Sequence, residues 1–418
     1  MSAIIRTMAL IPALYGYLSA SLTCLSASGQ TTCPSSPSQL LAPIDSVNGD
    51  KAGFVSAVDN SGSVVAIGTA AAAHAGVRSG VVWVRTRVGQ VGEAEWKIVP
   101  ANAFDFMNFA ASLALNASGN TLIVGCTPAF AVERVFVYRF DGQQWNEEWV
   151  VSETAGDDLG YSVAISAAGD VFAAGAPMRS ECCTIWPGGI YVYRRGATGW
   201  YREALLVPTD VVLNFHIGNS IAMSGDGRYL AGRAFVSQNS PVPSGAVYIF
   251  EHNAGAWTQV AKLQEPVAYS NGGFGMALAM AFDGRTLVAG NTSDSRFAPL
   301  NGAATIFHRT ITGWAFDGVV LPIPPIPGGY FGGSVSLNSV GDRLFVGEVG
   351  AIVAGVDDAG RVDEFHRGAS GWTRVASHVA PALTATGAGF GKVVRSSASG
   401  HRWIASEPWA DFNGIDSG

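Results

Sequence analysis

The chain has 418 residues, of which 48% are hydrophobic and 14% charged, with a formal net charge of -7 at pH 7. This balance excludes a disordered chain, and with no cluster of Lys and Arg it offers no footprint for a nucleic-acid backbone. The 52 glycines suit many short strands and tight turns better than helices.

Residues 1–29 have the layout of a secretory signal: one Arg, an apolar run from Met8, then small residues through Ala27, Ser28 and Gly29. A membrane anchor is the alternative, but Tyr15, Gly16, Tyr17 and several Ser interrupt the run. No later segment could span a bilayer, so a secreted or extracytoplasmic location is expected. Lipidation at Cys24 fits the sequence before it poorly. Cys33, Cys126, Cys182 and Cys183 remain, with no Cys-x-x-Cys pair for zinc. Cys182 and Cys183 read either as a vicinal disulfide or as two thiols, free or separately paired.

Residues 30–50 form an N-terminal segment in which "SQLLAPID", residues 38–45, looks like an orphan outer strand. From residue 51 onward one pattern recurs seven times, centred on Gly62, Gly119, Gly169, Gly227, Gly284, Gly341 and Gly400, at intervals of 57, 50, 58, 57, 57 and 59 residues. Nine positions before each lies Gly53, Ala110, Gly160, Gly218, Gly275, Gly332 or Gly391, with only Ala110 breaking the rule. Six positions after come Gly68, Gly125, Gly175, Gly290 and Gly347, with Arg233 and Ser406 as exceptions. A repeat this regular marks one supersecondary unit used many times.

Each unit reads as a strand, a tight turn at the glycine, a second apolar strand, a loop, a third strand such as "RVFVYRF" or "GAVYIFEH", and a fourth introduced by a Trp: Trp96, Trp145, Trp200, Trp257, Trp314 or Trp372. Four antiparallel strands apolar on both faces cannot hide those faces alone, so neighbouring units must cover them. The expected fold is therefore all-β, a seven-bladed β-propeller over residues 51–418. A row of sandwiches would need linkers that the short, apolar connections do not supply. The seventh unit, from Phe390, has only two strands before the sequence stops. It is expected to remain incomplete and to be closed by the strand at 38–45, as a C-terminally truncated product or as a natural three-stranded blade.

The openings "LGYSV", "FGMAL", "FGGSV" and "FGKVV", with "VGC", "AGAP", "AGN" and "VGE" closing second strands, resemble the FG-GAP repeat family. That family includes the propeller of integrin alpha subunits and many exported bacterial proteins. The resemblance covers residues 38–418 and implies the fold more firmly than an activity. Integrin-type repeats often carry an Asp-rich calcium loop between the first two strands. Here the turns "DNSGS", "NASGN", "SAAGD", "SGDGR", "AFDGR", "NSVGD" and "SASGH" hold at most one carboxylate each, too few for a hard cation. No metal and no cofactor is expected.

Catalytic constellations are missing as well. No Gly-x-Ser-x-Gly elbow occurs, and Ser162, Ser220 and Ser334 recur as part of the strand pattern. His308 and His366 share one slot in adjacent units and His252 lies one residue later, which spreads them around a rim. "SGDGRYL" lacks the spacer of a sialidase Asp-box, and "ATGW" lacks the Asp of a quinone-enzyme tryptophan motif.

In a propeller, the loops after second and fourth strands share one face, and the tight turns lie on the other. The loops vary most and form the expected binding surface. Arg233, Glu348 and Glu407 stand at the ends of second strands on that face, in slots elsewhere filled mostly by small residues, and Trp186 lies in the longest loop. These four are the candidate ligand-binding residues. The expectation is a non-catalytic binding or adhesion propeller that takes a protein or glycan at its loop face. The rival is a secreted carbohydrate-active enzyme using Glu348 and Glu407. Sequons at Asn116 and Asn291 matter only in a glycosylating secretory pathway.

Overall fold

The computed structural model describes Leu41, Pro43, Asp45 and residues 50–410, apart from 89–91, 130, 181–185, 211–214, 236–244, 267–272 and 381–385. The signal at 1–29 and Cys33, Cys182 and Cys183 lie outside the described residues.

The described residues contain 26 strands and no helix. Blade 1 holds β1 (Val55–Val58), β2 (Val64–Thr69), β3 (Val81–Val88) and β4 (Gly92–Ile98). Blade 2 holds β5 (Phe109–Leu115), β6 (Thr121–Cys126), β7 (Arg134–Phe140) and β8 (Trp145–Val151). Blade 3 holds β9 (Ser162–Ile165), β10 (Val171–Gly175), β11 (Ile190–Gly196) and β12 (Gly199–Leu206). Blade 4 holds β13 (Ile221–Met223), β14 (Tyr229–Ala234), β15 (Ala246–Asn253) and β16 (Ala256–Leu263). Blade 5 holds β17 (Phe274–Met280), β18 (Thr286–Asn291), β19 (Ala303–Thr310) and β20 (Gly313–Val320). Blade 6 holds β21 (Ser334–Leu337), β22 (Arg343–Glu348), β23 (Arg361–Gly368) and β24 (Gly371–His378). The seventh unit is the pair β25 (Val394–Ser396) and β26 (Trp403–Ala405). Within each blade the strands pair antiparallel in chain order, which makes six four-stranded sheets and one two-stranded sheet in a β-propeller.

The glycine pattern has two separate causes. The turn glycines from Gly62 to Gly400 all have φ between 63° and 77°, the left-handed region that costs a Cβ-bearing residue about 1–2 kcal/mol. The second-strand glycines answer to crowding instead: a Cβ on Gly175 or Gly290 would lie 1.9 Å from the carbonyl oxygen of Gly218 or Gly332 in the next blade. Ala110, alone in its slot, takes φ 69° without being glycine.

The core lies between blades. Val82, Val84 and Ile98 of blade 1 pack on Phe136 and Tyr138 of blade 2, and Val247, Ile249 and Leu263 of blade 4 pack on Phe274, Leu287 and Phe307 of blade 5. The inner strands β1, β5, β9, β13, β17, β21 and β25 neighbour one another in sequence, and β25 returns to β1.

The turns complete the circle with one main-chain hydrogen bond per unit. Asn60 N donates to Ala117 O, Ala117 N to Ala167 O, Ala167 N to Gly225 O, Gly225 N to Phe282 O, Phe282 N to Ser339 O, Ser339 N to Ala398 O, and Ala398 N back to Asn60 O, all at 2.8–3.1 Å.

Of the closing strand expected at 38–45, residues 38–40, 42 and 44 lie outside the described residues. Leu41, Pro43 and Asp45 lie in no strand, and β25–β26 pairs with no third strand among the described residues. Asp45 instead accepts Trp83 Nε1 at 2.6 Å and pairs with Lys97 Nζ at 2.5 Å, both in blade 1. Trp83 alternates with the blade 2-facing Val82 and Val84, so it points to the side of blade 1 that looks toward the seventh unit. An indole donor and an ammonium give Asp45 charge-assisted bonds on that side. The ring itself is joined by the turn hydrogen bonds and by Arg402 Nη1 donating to Ser63 Oγ at 3.2 Å.

Blade 6 differs from the other blades on the face it turns to β25–β26. Its inner residues Phe345 and Val362 pack on Val394, Trp403 and Ala405. Farther out, Glu364 stands where the other blades place the fully buried Val84, Val137, Val192, Ile249 and Ile306. His378 likewise takes the place of Ile98, Val151, Leu206, Leu263 and Val320. On this face Glu364 is matched by His366 and His378, as the cost of burying unmatched polar groups requires.

Candidate functional site

The four candidate residues belong to four different repeats. Arg233 ends β14 and is only 4% exposed. Its Nε donates to the Phe274 carbonyl at 3.0 Å and its Nη1 to Asn219 Oδ1 at 3.0 Å. Where the other blades use a glycine to let the next blade approach, here a guanidinium fills the junction between blades 4 and 5. Burial pulls its pKa down to about 10. Arg233 is thus an internal strut that holds the Asn219 amide oxygen.

Glu348, expected as a ligand-binding residue on the loop face, is fully buried. It closes β22 opposite Arg361 of β23, whose Nε bonds its Oε2 at 2.6 Å. Asp363, also fully buried, takes Arg374 Nη1 at 3.3 Å. Arg361 and Arg374 also reach the carbonyls of Pro324 and Ile323. Burial raises the Glu348 carboxyl to about 7 despite the opposing Arg361, with Asp363 adding to the rise. A buried pair of this kind fixes geometry more than it adds stability.

Glu407 follows β26 and is half-buried. Burial alone lifts its carboxyl to about 7. Trp186 is 44% exposed and stacks on His216, ring centroids 6.1 Å apart. Of the four, Glu407 and Trp186 are open to solvent, and Glu348 and Arg233 shape the ring from within.

A set missed in the sequence follows the glycine that opens each repeat. Phe54, Tyr161, Asn219, Met276 and Lys392 begin the inner strands on the loop face, next to Gly53, Gly160, Gly218, Gly275 and Gly391. Phe54 is 37% exposed, and Tyr161 and Met276 are each 47% exposed. Because the inner strands ring the axis, these side chains surround its mouth. The sequence does carry a signal for them: the residue after the near-constant glycine differs from repeat to repeat.

The histidines form a second group. His366 Nε2 meets Glu364 Oε1 at 2.7 Å and His378 Nε2 meets Glu364 Oε2 at 3.1 Å. His378 also packs at a tilt against Trp403, ring centroids 4.7 Å apart and planes at 56°. The pair holds the Glu364 carboxyl below its ordinary value against the opposing effect of burial. The repeat register aligns His366 with His308 in the preceding blade, but its partner is His378, across the hairpin. Among the described residues no three His, Cys, Asp or Glu are placed to hold a metal. The turn carboxylates are occupied by their own turns, as where Asp59 Oδ1 accepts the amides of Ser63 and Val64 at 2.7 and 2.8 Å.

No family model matches the sequence, and no curated protein matches it. Solved structures do share its fold. A chain of a mitotic checkpoint complex superposes with a TM-score of 0.56 at 14% identity, covering 94% of this chain and 96% of that one. Sqt1 from Chaetomium thermophilum gives 0.51 at 16% identity, covering 86% and 95%. Sqt1 from Saccharomyces cerevisiae gives 0.51 at 12% identity, covering 87% and 84%. At such identities the likeness is one of fold.

Proposed function

We propose that this chain is an extracytoplasmic, non-catalytic binding propeller of FG-GAP type, with seven repeats of which the last is incomplete, and that it takes a protein or glycan on its loop face. The observation that carries this reading is the contrast between its two faces. The turn face is tied by seven main-chain hydrogen bonds, whereas the loop face displays Phe54, Tyr161, Met276 and Trp186 with 37–47% of each exposed. Exposed aromatic and Met side chains on a rigid scaffold are what binding surfaces use.

The test is a ligand screen of the full chain against immobilised glycans and proteins. Tyr161→Ala and Trp186→Ala on the loop face should abolish a hit, and Val340→Ala, exposed on the turn face, should leave it intact. Loss through Val340→Ala with retention in the loop-face variants overturns the reading.

The enzyme alternative has one observation in its favour. Glu348 and Glu407 occupy the same slot in successive repeats, and each is held near neutrality, where a carboxyl can act as a general acid. Glycoside turnover lost in Glu407→Gln would replace the binding reading with this one.

A further inference from the structure

We propose that the loop face over blades 5 and 6 docks on the surface of a zwitterionic lipid bilayer, with Phe297, Ile323, Tyr330 and Ile352 entering the interfacial layer. The proposal stands apart from the ligand reading above, which uses other residues of that face.

Three loops meet there. The loop after β18 supplies Phe297 and Leu300, the β20–β21 loop supplies Ile323 and Tyr330, and the loop after β22 supplies Ile352, each 39–66% exposed. Main-chain bonds tie the loops into one surface. Gly328 N donates to Pro299 O at 2.9 Å, Tyr330 N to Leu300 O at 3.0 Å, and Gly350 N to Gly329 O at 3.1 Å. Residues 297–307, 318–341 and 349–356 contain no Asp, Glu, Lys or Arg. An uncharged apolar surface shared by three adjacent loops marks an interaction site, whereas apolar side chains exposed singly do not.

The backbone of these loops is already largely paired. A peptide group that enters an apolar medium without a partner is costly, so a segment that does so needs its donors and acceptors satisfied within the protein. Pro299, Pro322, Pro324, Pro325 and Pro327 have no N–H to satisfy. The amides of Ala298 and Leu300 donate to Asn301 Oδ1 and Ser295 Oγ, and those of Asn301 and Gly329 to the carbonyls of Ala298 and Ile326. The carbonyls of Ile323 and Pro324 accept Arg374 Nη1 at 2.8 Å and Arg361 Nη2 at 3.4 Å. The ion pairs of these two arginines with Asp363 and Glu348 therefore also anchor the proline-rich loop.

Two features favour lipid over a protein partner. Protein partners are fixed in register by polar contacts, and here prolines and internally bonded amides remove most main-chain donors. Phe, Tyr, Ile and Pro suit an interfacial layer, where a Tyr keeps its hydroxyl in contact with water. The net charge of -7 repels anionic headgroups and the uncharged stretches supply no cation to offset it, so a neutral headgroup is the match.

The experiment is flotation of the full chain with phosphatidylcholine vesicles, in parallel with vesicles in which phosphatidylserine replaces part of that lipid. The chain should float with phosphatidylcholine, bind no better when phosphatidylserine is added, and keep its binding at high salt. Phe297→Ser should lower the partition coefficient about tenfold and Ile323→Ser about fivefold, while Phe297→Trp should bind at least as well as wild type. Val340→Ser, on the turn face, should stay within about twofold of wild type, and all four variants should keep the wild-type melting temperature. The proposal is overturned if the chain does not float with phosphatidylcholine, if binding requires phosphatidylserine, if Phe297→Ser and Ile323→Ser float as wild type does, or if Val340→Ser loses as much as they do. Absence of flotation together with a dimer in sedimentation velocity that Phe297→Ser dissociates would assign the surface to a second copy of this chain instead.

Discussion

The amide of Ala398 donates to the carbonyl of Asn60 at 2.9 Å, joining the last repeat to the first and completing a circle of seven such bonds. The contact uses only the turn that every repeat possesses, so the two-stranded last repeat makes it as the six four-stranded blades do. Ala398→Pro removes the donor, and a loss of about 1–3 kcal/mol is expected in denaturant unfolding. Ala398→Gly keeps the N–H and should cost less. Equal losses in the two variants would show that the bond does not hold the ring.

Packing between blades should be intolerant at the second-strand glycines and indifferent at Gly318 on the outer strand of blade 5. Gly290→Ala would put its methyl 1.9 Å from the Gly332 oxygen, whereas a Cβ added at Gly318 in β20 would meet nothing within 4 Å. We expect about 3 kcal/mol of destabilisation for Gly290→Ala and a change within about 0.5 kcal/mol for Gly318→Ala. Thermal or urea unfolding of the two variants side by side decides it.

Glu407 should give stability a pH dependence of defined sign. Its carboxyl lies at about 7 when folded against 4.5 as the ordinary value, so the folded state holds the proton more tightly. Stability from this group therefore rises as pH falls through 7 toward 4.5 and is flat below. Glu407→Gln removes the burial cost of the charge. It should stabilise by about 1 kcal/mol at pH 8, allowing for solvent screening of a half-exposed group, and by nothing at pH 4.5. A stabilisation that does not change between these two pH values would contradict the assignment.

Neither sequon should be glycosylated in a secretory host. Asn116 is 2% exposed, and its Oδ1 caps the amides of Asn120 and Thr121. Asn291 is fully buried and donates to Glu265 Oε2 at 2.9 Å. Intact mass before and after glycosidase treatment should be the same, and a shift of one glycan would show that one of these sites opens before folding is complete.

The repeat made the architecture legible. Seven glycine-centred turns at near-constant spacing require seven equivalent hairpins, and strands apolar on both faces require neighbours, so the propeller and its blade order followed from local chemistry. The expected third strands and the Trp-bearing fourth strands appear in blades 1 to 6 because their alternation was strong. The choice of site residues fared differently. Arg233 and Glu348 stood out for being charged in small-residue slots, yet a charge in such a slot is either exposed or matched, and sequence does not say which. The matching partners, the Phe274 carbonyl and Arg361, come from another blade and from across a hairpin.

Closure shows the same division. From sequence alone the chain determined its turns, its strand order and the recurrence of glycine in the second strands, because these depend on residues adjacent in sequence or repeated at fixed spacing; the closed ring supplies the crowding of Gly175 on Gly218 and of Gly290 on Gly332. Tertiary structure decided that Asp45 belongs to Trp83 and Lys97, that Glu364 gathers His366 and His378, and that the loops of Phe297, Ile323 and Ile352 lie side by side. Those contacts join residues from distant parts of the chain or across a hairpin, and their energies depend on burial and direction, which only the closed ring supplies.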